Sequence, residues 1–345
     1  MYSGSRNMTL LFIEDEILAS WKALNNSGSG IGWQAVPVTS PGDCRIVAAR
    51  HFPENEEALL VGFNLEVLPI NTQLPEGKGF RVEIIRDVRL GPDHTWIGLI
   101  RQDSGSLEIF LTMVRDILIM VSKKSDMSPV ALFSAFIGRI RAWQDFMSKP
   151  RAVLGAEAEA GLFGELTFLG LLIDSGLSIS NAVESWYGPL GGLQDFMLGH
   201  GAIEIKTTLA EKGFPAKVHS LEQLDDSIVR PIFLGAVRLS QNITGCTLSK
   251  LIDDIRAMLS LDRQALSEFD NRLLRVGYLD SESEHYTRSF LAIEIRNFLV
   301  DERFPRMIPG TVPFGVKSAK YEIDIDQVEA IEVPLIEVYR ELGID

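Results

Sequence analysis

Residues 191–208 read GGLQDFMLGHGAIEIKTT, and this stretch decides the fold. Leu193 to Leu198 alternates well enough for a strand, Gly199-His200-Gly201 supplies turn residues, and Ala202 to Thr208 alternates again. Together they predict a β-hairpin. With the turn centred on His200-Gly201, Asp195 falls opposite Lys206 and Met197 opposite Glu204. Side chains two positions apart share a face, so Asp195, Glu204 and Lys206 point one way. Phe196, Ile203 and Ile205 point the other, towards a core.

Eight residues separate Asp195 from Glu204, and one separates Glu204 from Lys206. This layout suits magnesium-dependent phosphodiester cleavage: two carboxylates hold the cation and a lysine beside the second reaches the attacking water. Taken alone the spacing is weak, because Glu and Lys alternate on many solvent-facing strands. Its neighbours matter more. A helix is expected over 158–175, with Leu162, Phe163, Leu166, Leu169 and Leu172 on one broad apolar face and Glu165 at its margin. A carboxylate among apolar residues needs a partner or a cation. Between helix and hairpin a short strand is expected, ending in the turn Trp186-Tyr187-Gly188-Pro189.

Downstream, a strand is expected over Ile232–Leu239, then helices near Thr247–Ser260 and Arg263–Arg275, with Thr247 and Ser249 as candidate caps. Strands near Arg288–Phe298 and Tyr321–Ile325 lead to an acidic terminal segment. Upstream, 9–24 reads as a short amphipathic helix ended by the Gly/Ser/Asn stretch 25–32. Strand-like runs follow at Cys44–Ala49, Leu59–Leu68, Arg81–Arg89 and Thr95–Gln102, then helices over 107–121 and 129–147. Pro150 and the Ala/Gly/Glu stretch after it mark a boundary. The expectation is therefore an α+β domain over 1–150 that names no chemistry and a mixed-sheet α/β domain over 151–345.

At 345 residues the chain has room for two ordinary cores. Cys44 and Cys246 stand alone, which argues against a zinc site or disulfide framework and fits a reducing cytosol. No apolar run is long enough to span a membrane, and the start is not a secretory signal. The net charge of −14 is awkward for a nucleic-acid enzyme. Residues 1–150 carry 15 basic and 17 acidic side chains, against 18 and 30 in 151–345, and 321–345 alone holds one basic and eight acidic. The acidity is concentrated at the C-terminal end, which leaves room for a basic surface elsewhere.

Six ordered motifs carry a resemblance: G-E-x-x-F-L at 164–169, W-Y-G-P at 186–189, Q-D-F at 194–196, I-E-I-K-T-T at 203–208, Q-L at 223–224 and F-P-R at 304–306. Together they resemble the PD-(D/E)XK motif family, a bacterial group within the restriction-endonuclease-like superfamily. The likeness covers most of 150–330 and, more loosely, the N-terminal half. It implies a restriction-endonuclease-like mixed sheet flanked by helices, with Asp195 at the motif aspartate, Glu204 at the D/E position, Lys206 at the lysine and Glu165 as the upstream helix acid. Gln194 stands where the proline that names the motif would be.

The chemistry that follows is a metal-dependent DNA endonuclease. Asp195, Glu204, the Ile205 backbone carbonyl and Glu165 would hold Mg²⁺, with Mn²⁺ able to substitute, since hard oxygen donors without a Cys or His pair do not suit zinc. Gln223, Ser220 and Arg306 are candidate substrate contacts. The plainer readings are a turn cap for the first two and a buried ion pair for Arg306. His200 is expected to play no catalytic part, Thr207 and Thr208 to be structural, and Trp21, Trp143 and Trp186 to be core or interface residues. The resemblance further implies work beside restriction or phage-defence proteins such as an ATPase/helicase or methyltransferase. Double-strand cutting would call for a homodimer. The alternatives are a catalytically silent DNA-binding or scaffold subunit and an RNA nuclease.

Overall fold

The computed structural model of the chain describes residues 16–25, 31–65, 74–87, 90, 93–148 and 154–344. It divides into two compact units, residues 1–151 and 152–345.

In the first unit, helix α1 (16–25) precedes an antiparallel sheet in the order β1-β2-β3-β6-β5-β4. The strands are β1 (Gly32–Thr39), β2 (Arg45–Phe52), β3 (Glu56–Phe63), β4 (Glu76–Gly77), β5 (Phe80–Ile85) and β6 (Thr95–Arg101), followed by helices α2 (Leu107–Lys123) and α3 (Pro129–Ser148). The expected helical residues before 16, and the strand ends at 66–68 and 88–89, lie outside the described residues. Strand β1 lies outside the expected strand-like runs, and Pro37 stands within it. It is an edge strand with a register shift between Pro37 and Thr39, where a missing N–H does least harm. Trp21 and Trp143 are buried.

The second unit is built on a four-stranded sheet in the order β11-β10-β8-β7. Its elements are helices α4 (Ala156–Asp174) and α5 (Ile179–Ser185), strands β7 (Phe196–Leu198), β8 (Gly201–Thr208), β9 (Pro215–Val218) and β10 (Ile232–Thr247), helices α6 (Leu248–Met258) and α7 (Arg263–Val276), strands β11 (Ser289–Leu299) and β12 (Tyr321–Asp324), and helix α8 (Leu335–Leu342). Strands β8 and β10 run parallel while β7–β8 and β10–β11 are antiparallel, which makes the sheet mixed. One face packs Phe196, Ile203, Ile205, Phe233 and Val237 against α4, α6 and α7. The other carries Ala202, Ile232, Leu234 and Ala236 into a second core with Phe214, Val218 and Ile323 of the β9–β12 ribbon. Among the described residues no helix is long and apolar enough to cross a membrane.

Two local expectations are corrected. The segment before the W-Y-G-P turn is helix α5, not a strand: Ser178 Oγ accepts the Asn181 N–H at 3.3 Å and starts it, and this cap outweighs the strand preference of Ile179 and Val183. The acidic terminal segment contains α8, whose Val338, Tyr339 and Leu342 are buried at helical spacing and whose Gly343 ends it at φ +73°. Thr247 caps α6 as expected, accepting the Lys250 N–H at 3.2 Å, while Ser249 donates instead to the Ser283 carbonyl.

The hairpin is one step tighter than its turn residues suggest. Phe196 pairs with Ile203 and Leu198 with Gly201, so the loop is Gly199-His200 alone. Gly199 takes φ +57°, which suits the first position of a two-residue hairpin turn. The His200 N–H donates to the Leu342 carbonyl at 3.1 Å, fastening the turn to the end of α8. Continuing this register puts Asp195 opposite Glu204 and not opposite Lys206. The change is of even parity, so every side chain keeps its face.

Candidate active site

Strand β8 delivers the two charged side chains of the E-x-K motif into a covered position. Glu204 is 2 % exposed and Lys206 9 %, on the same face as Ala202. Lys206 Nζ donates to Glu204 Oε1 at 2.7 Å, and Gln223 Nε2 donates to the same oxygen at 3.0 Å. Glu204 Oε2 is buried and has no partner. A buried carboxylate oxygen without a donor is costly. Burial first, and then the nearby Asp195 charge, push the Glu204 carboxyl up to about 8, against the pull of Lys206.

Asp195 sits where the β7–β8 ladder stops. Its backbone carbonyl accepts the Tyr187 and Gly188 N–H groups at 2.7 and 3.0 Å, and its Oδ2 accepts the Ile205 N–H at 2.7 Å. The side chain thus docks on β8 directly. Burial raises its carboxyl to about 6, and the Ile205 N–H and Lys206 limit the rise.

Glu165 comes from α4. Gly164 lets that helix close on β8, since a Cβ at 164 would run into Thr207 Oγ1. Trp186, fully buried, donates its Nε1–H to Glu165 Oε2 at 2.7 Å. Burial and then repulsion from Asp195 hold the Glu165 carboxyl well above the usual carboxylate range, with the indole N–H pulling the other way. Asp195 Oδ1 and Glu165 Oε2 stand 3.0 and 3.2 Å from the point where a Cβ on Gly188 would be. Only glycine leaves this gap between the two carboxylates open. The W-Y-G-P turn therefore serves the site in three ways. It carries the Trp186 donor, the Gly188 gap and the two N–H groups that hold the Asp195 backbone. Arg272 of α7 fixes the turn from behind by donating to the Trp186 carbonyl.

Gln194, in the place of the motif proline, is buried and donates to the Gln223 carbonyl at 3.1 Å. Gln223 Oε1 in turn accepts the His219 N–H at 2.7 Å. Of the three candidate substrate contacts, then, Gln223 lies within the carboxylate cluster. Ser220 Oγ accepts the Glu222 N–H at 3.3 Å, in the manner of a turn cap. Arg306 pairs with Asp226 at 2.8 Å and donates to the Leu224 carbonyl, which is the buried ion pair of its plainer reading. Thr208 Oγ1 accepts the Ala210 N–H. The part of Trp186 was not anticipated. The W-Y-G-P motif marked it, but an indole N–H has no preferred partner in sequence.

Among the described residues no three His, Cys, Asp or Glu side chains gather closely enough to hold a metal ion by themselves; Lys206 and Gln223 hold one oxygen of Glu204. The donor set nevertheless fits a hard divalent cation. It is made of oxygens, it contains an unpartnered buried oxygen on Glu204, and its carboxylates lack enough positive charge to stay ionised together.

A family model described as "Putative PD-(D/E)XK family member, (DUF4420)" matches residues 17–326. The chain belongs to this family. The mixed α/β architecture agrees with the nuclease-like fold that the family designates. The match also takes in most of the first unit, so PD-(D/E)XK membership here extends beyond the domain that holds the motif. No curated protein and no solved structure matches the chain.

Proposed function

We propose that this protein is a metal-dependent DNA endonuclease. The observation that carries the reading is the gathering of Asp195, Glu204, Lys206 and Glu165, from three separate elements, into one cluster in which Glu204 is buried and its Oε2 lacks a partner among the described residues. Asp195, Glu204, Glu165 and the Ile205 carbonyl are the groups that would hold Mg²⁺ or Mn²⁺. Such a cation, when bound, supplies positive charge for the phosphoryl oxygens and the leaving 3′ oxygen and acidifies a water.

The side chains divide the remaining work. Lys206 sits beside Glu204, where its side-chain N–H donors can orient the attacking water and offset phosphate charge. Gln223 holds Glu204 Oε1 in place by donating its amide Nε2–H and accepts the His219 backbone N–H with its amide oxygen. Trp186 and Gly188 keep Glu165 and Asp195 facing a common gap. The enclosure of Glu204 and Lys206 excludes water from their contact and strengthens it.

The test is a plasmid-nicking assay with Mg²⁺ or Mn²⁺, comparing wild type with Asp195→Ala and Lys206→Ala. Nicking by wild type and loss in both variants is expected. Nicking that survives both substitutions refutes the site. No nicking under either metal, with proteins encoded alongside present, favours the reading of a silent nuclease-fold subunit. Work within restriction or phage defence, with an ATPase/helicase or methyltransferase partner, and cutting as a homodimer, belong to this proposal as its biological setting.

A further inference from the structure

Residues 303–321 contain four basic side chains (Arg303, Arg306, Lys317, Lys320) and no acidic one, in a chain of net charge −14. This stretch runs from the end of β11 to the start of β12, and both its ends rest beside the carboxylate cluster. At one end Arg306 donates to the carbonyl of Leu224, the neighbour of Gln223. At the other, the Tyr321 hydroxyl accepts the Met307 N–H at 3.1 Å and closes the loop.

The loop displays what it carries. Val316 N–H donates to the Pro313 carbonyl, and Gly315 takes φ +93°, so Phe314 occupies the corner of a tight turn. Phe314 is fully exposed, and Met307 and Val316 of the same loop are exposed as well. Lys317 and Lys320 are exposed and take part in no ion pair among the described residues, whereas Arg303 and Arg306 are paired with Asp301 and Asp226. One step beyond the last rung of the β9–β12 ladder, Tyr321 with Val218, Lys320 faces His219. The imidazole of His219 is held below its usual range, by burial first and then by the Lys206 and Lys320 cations, which places loop and cluster within one electrostatic neighbourhood.

We propose that residues 307–320 form the surface that grips the DNA substrate. Lys317 and Lys320 contact phosphates along one strand, and Phe314 packs on a base beside the cut. Resting on the nuclease reading, this assigns the substrate surface that the overall acidity conceals. A polyanion meets an acid-free stretch next to the cluster, and an exposed aromatic ring followed by two lysines suits an unstacked base beside a phosphate backbone.

The probe is a short fluorescein-labelled DNA duplex, followed by fluorescence anisotropy across a salt series with Ca²⁺ in place of Mg²⁺. Lys317→Ala/Lys320→Ala is expected to lower the slope of log affinity against log salt by about 2, the release expected for two phosphate contacts. Phe314→Ala is expected to weaken binding about tenfold with the slope unchanged. Lys250→Ala, which removes one exposed positive charge from α6, is the control and leaves both unchanged. Wild-type affinity and slope in all loop variants overturn the proposal, as does tighter binding of an RNA duplex that depends on the same residues. If wild type nicks plasmid and the loop variants bind and nick as well as it does, the loop assignment fails and the nuclease stands. If nothing is nicked while duplex binding depends on the loop, the nuclease reading fails and the surface stands.

Discussion

Cation binding at the carboxylate cluster should be coupled to proton release, and its size follows from the burial of the acids. With Glu204 raised to about 8 and Asp195 to about 6, Glu204 is about nine-tenths protonated at about pH 7 and Asp195 about one-tenth. A divalent cation needs both ionised, so its binding at that pH displaces about one proton from the pair. Glu165, held well above the usual carboxylate range, adds to this. At about pH 9 Glu204 is about nine-tenths ionised, and the release from the pair falls to about a tenth of a proton. The pair alone should therefore raise apparent affinity about tenfold per pH unit between about 6 and 8 and less steeply above, with Glu165 steepening the rise.

Titration calorimetry with Mn²⁺ in two buffers of different protonation enthalpy reads the proton count directly. In Glu204→Gln the release at neutral pH should lose the share that Glu204 contributes. An affinity that is flat across this range, with no proton released, would refute the assignment of these three acids as the cation's ligands.

Three further outcomes are expected. In the metal-free protein the folded-state values of Asp195 and Glu204 lie above those of the unfolded chain. Their stabilising contribution is complete below the unfolded values and is lost as pH rises through about 6 and about 8, so thermal midpoints should fall across that window. Glu204→Gln should flatten the upper part of the fall, and a midpoint that climbs there in wild type contradicts the burial argument. Trp186→Phe keeps the ring but removes the donor to Glu165, so Mn²⁺ affinity should drop about tenfold while circular dichroism stays native; unaltered affinity would remove Trp186 from the site. Gly164→Ala should cost about 1–3 kcal/mol by overpacking against Thr207, measured by urea denaturation. The double variant with Thr207→Ala should recover most of it, and failure to recover would place the strain elsewhere.

The carboxylate layout was legible in sequence because strand geometry has a period of two. Centring the turn on His200-Gly201 instead of Gly199-His200 misassigned every cross-strand partner, yet it left Asp195, Glu204 and Lys206 on their proper side. A slip of odd parity would have buried all three in the Ile203 and Ile205 core. The long elements were equally plain, since α3, α4 and α7 each sustain an apolar pattern over several turns. Elements decided by a single interaction were not. Helix α5 depends on one Ser178 cap, and β1 tolerates Pro37 only because it is an edge.

What sequence left open at the site is the second layer of contacts, because it depends on which segments fold back onto β8. Gln194 reaches the backbone of a residue 29 positions away, and Trp186 reaches a carboxylate 21 positions before it. Neither separation has a periodicity to betray it. These contacts also explain why a glutamine can stand in the motif proline's place. The Asp195 backbone is already held by the Tyr187 and Gly188 N–H groups and its side chain by Ile205, so a rigid φ before it is not needed to aim the carboxylate. Freed from that duty, position 194 contributes an amide that ties the chain entering β7 to Gln223, and through Gln223 to Glu204. The proline's loss thus accompanies a gain in coupling. The chain at Asp195 and the Glu204 side chain are linked through one glutamine pair, so Gln194→Pro should loosen Glu204 without displacing Asp195.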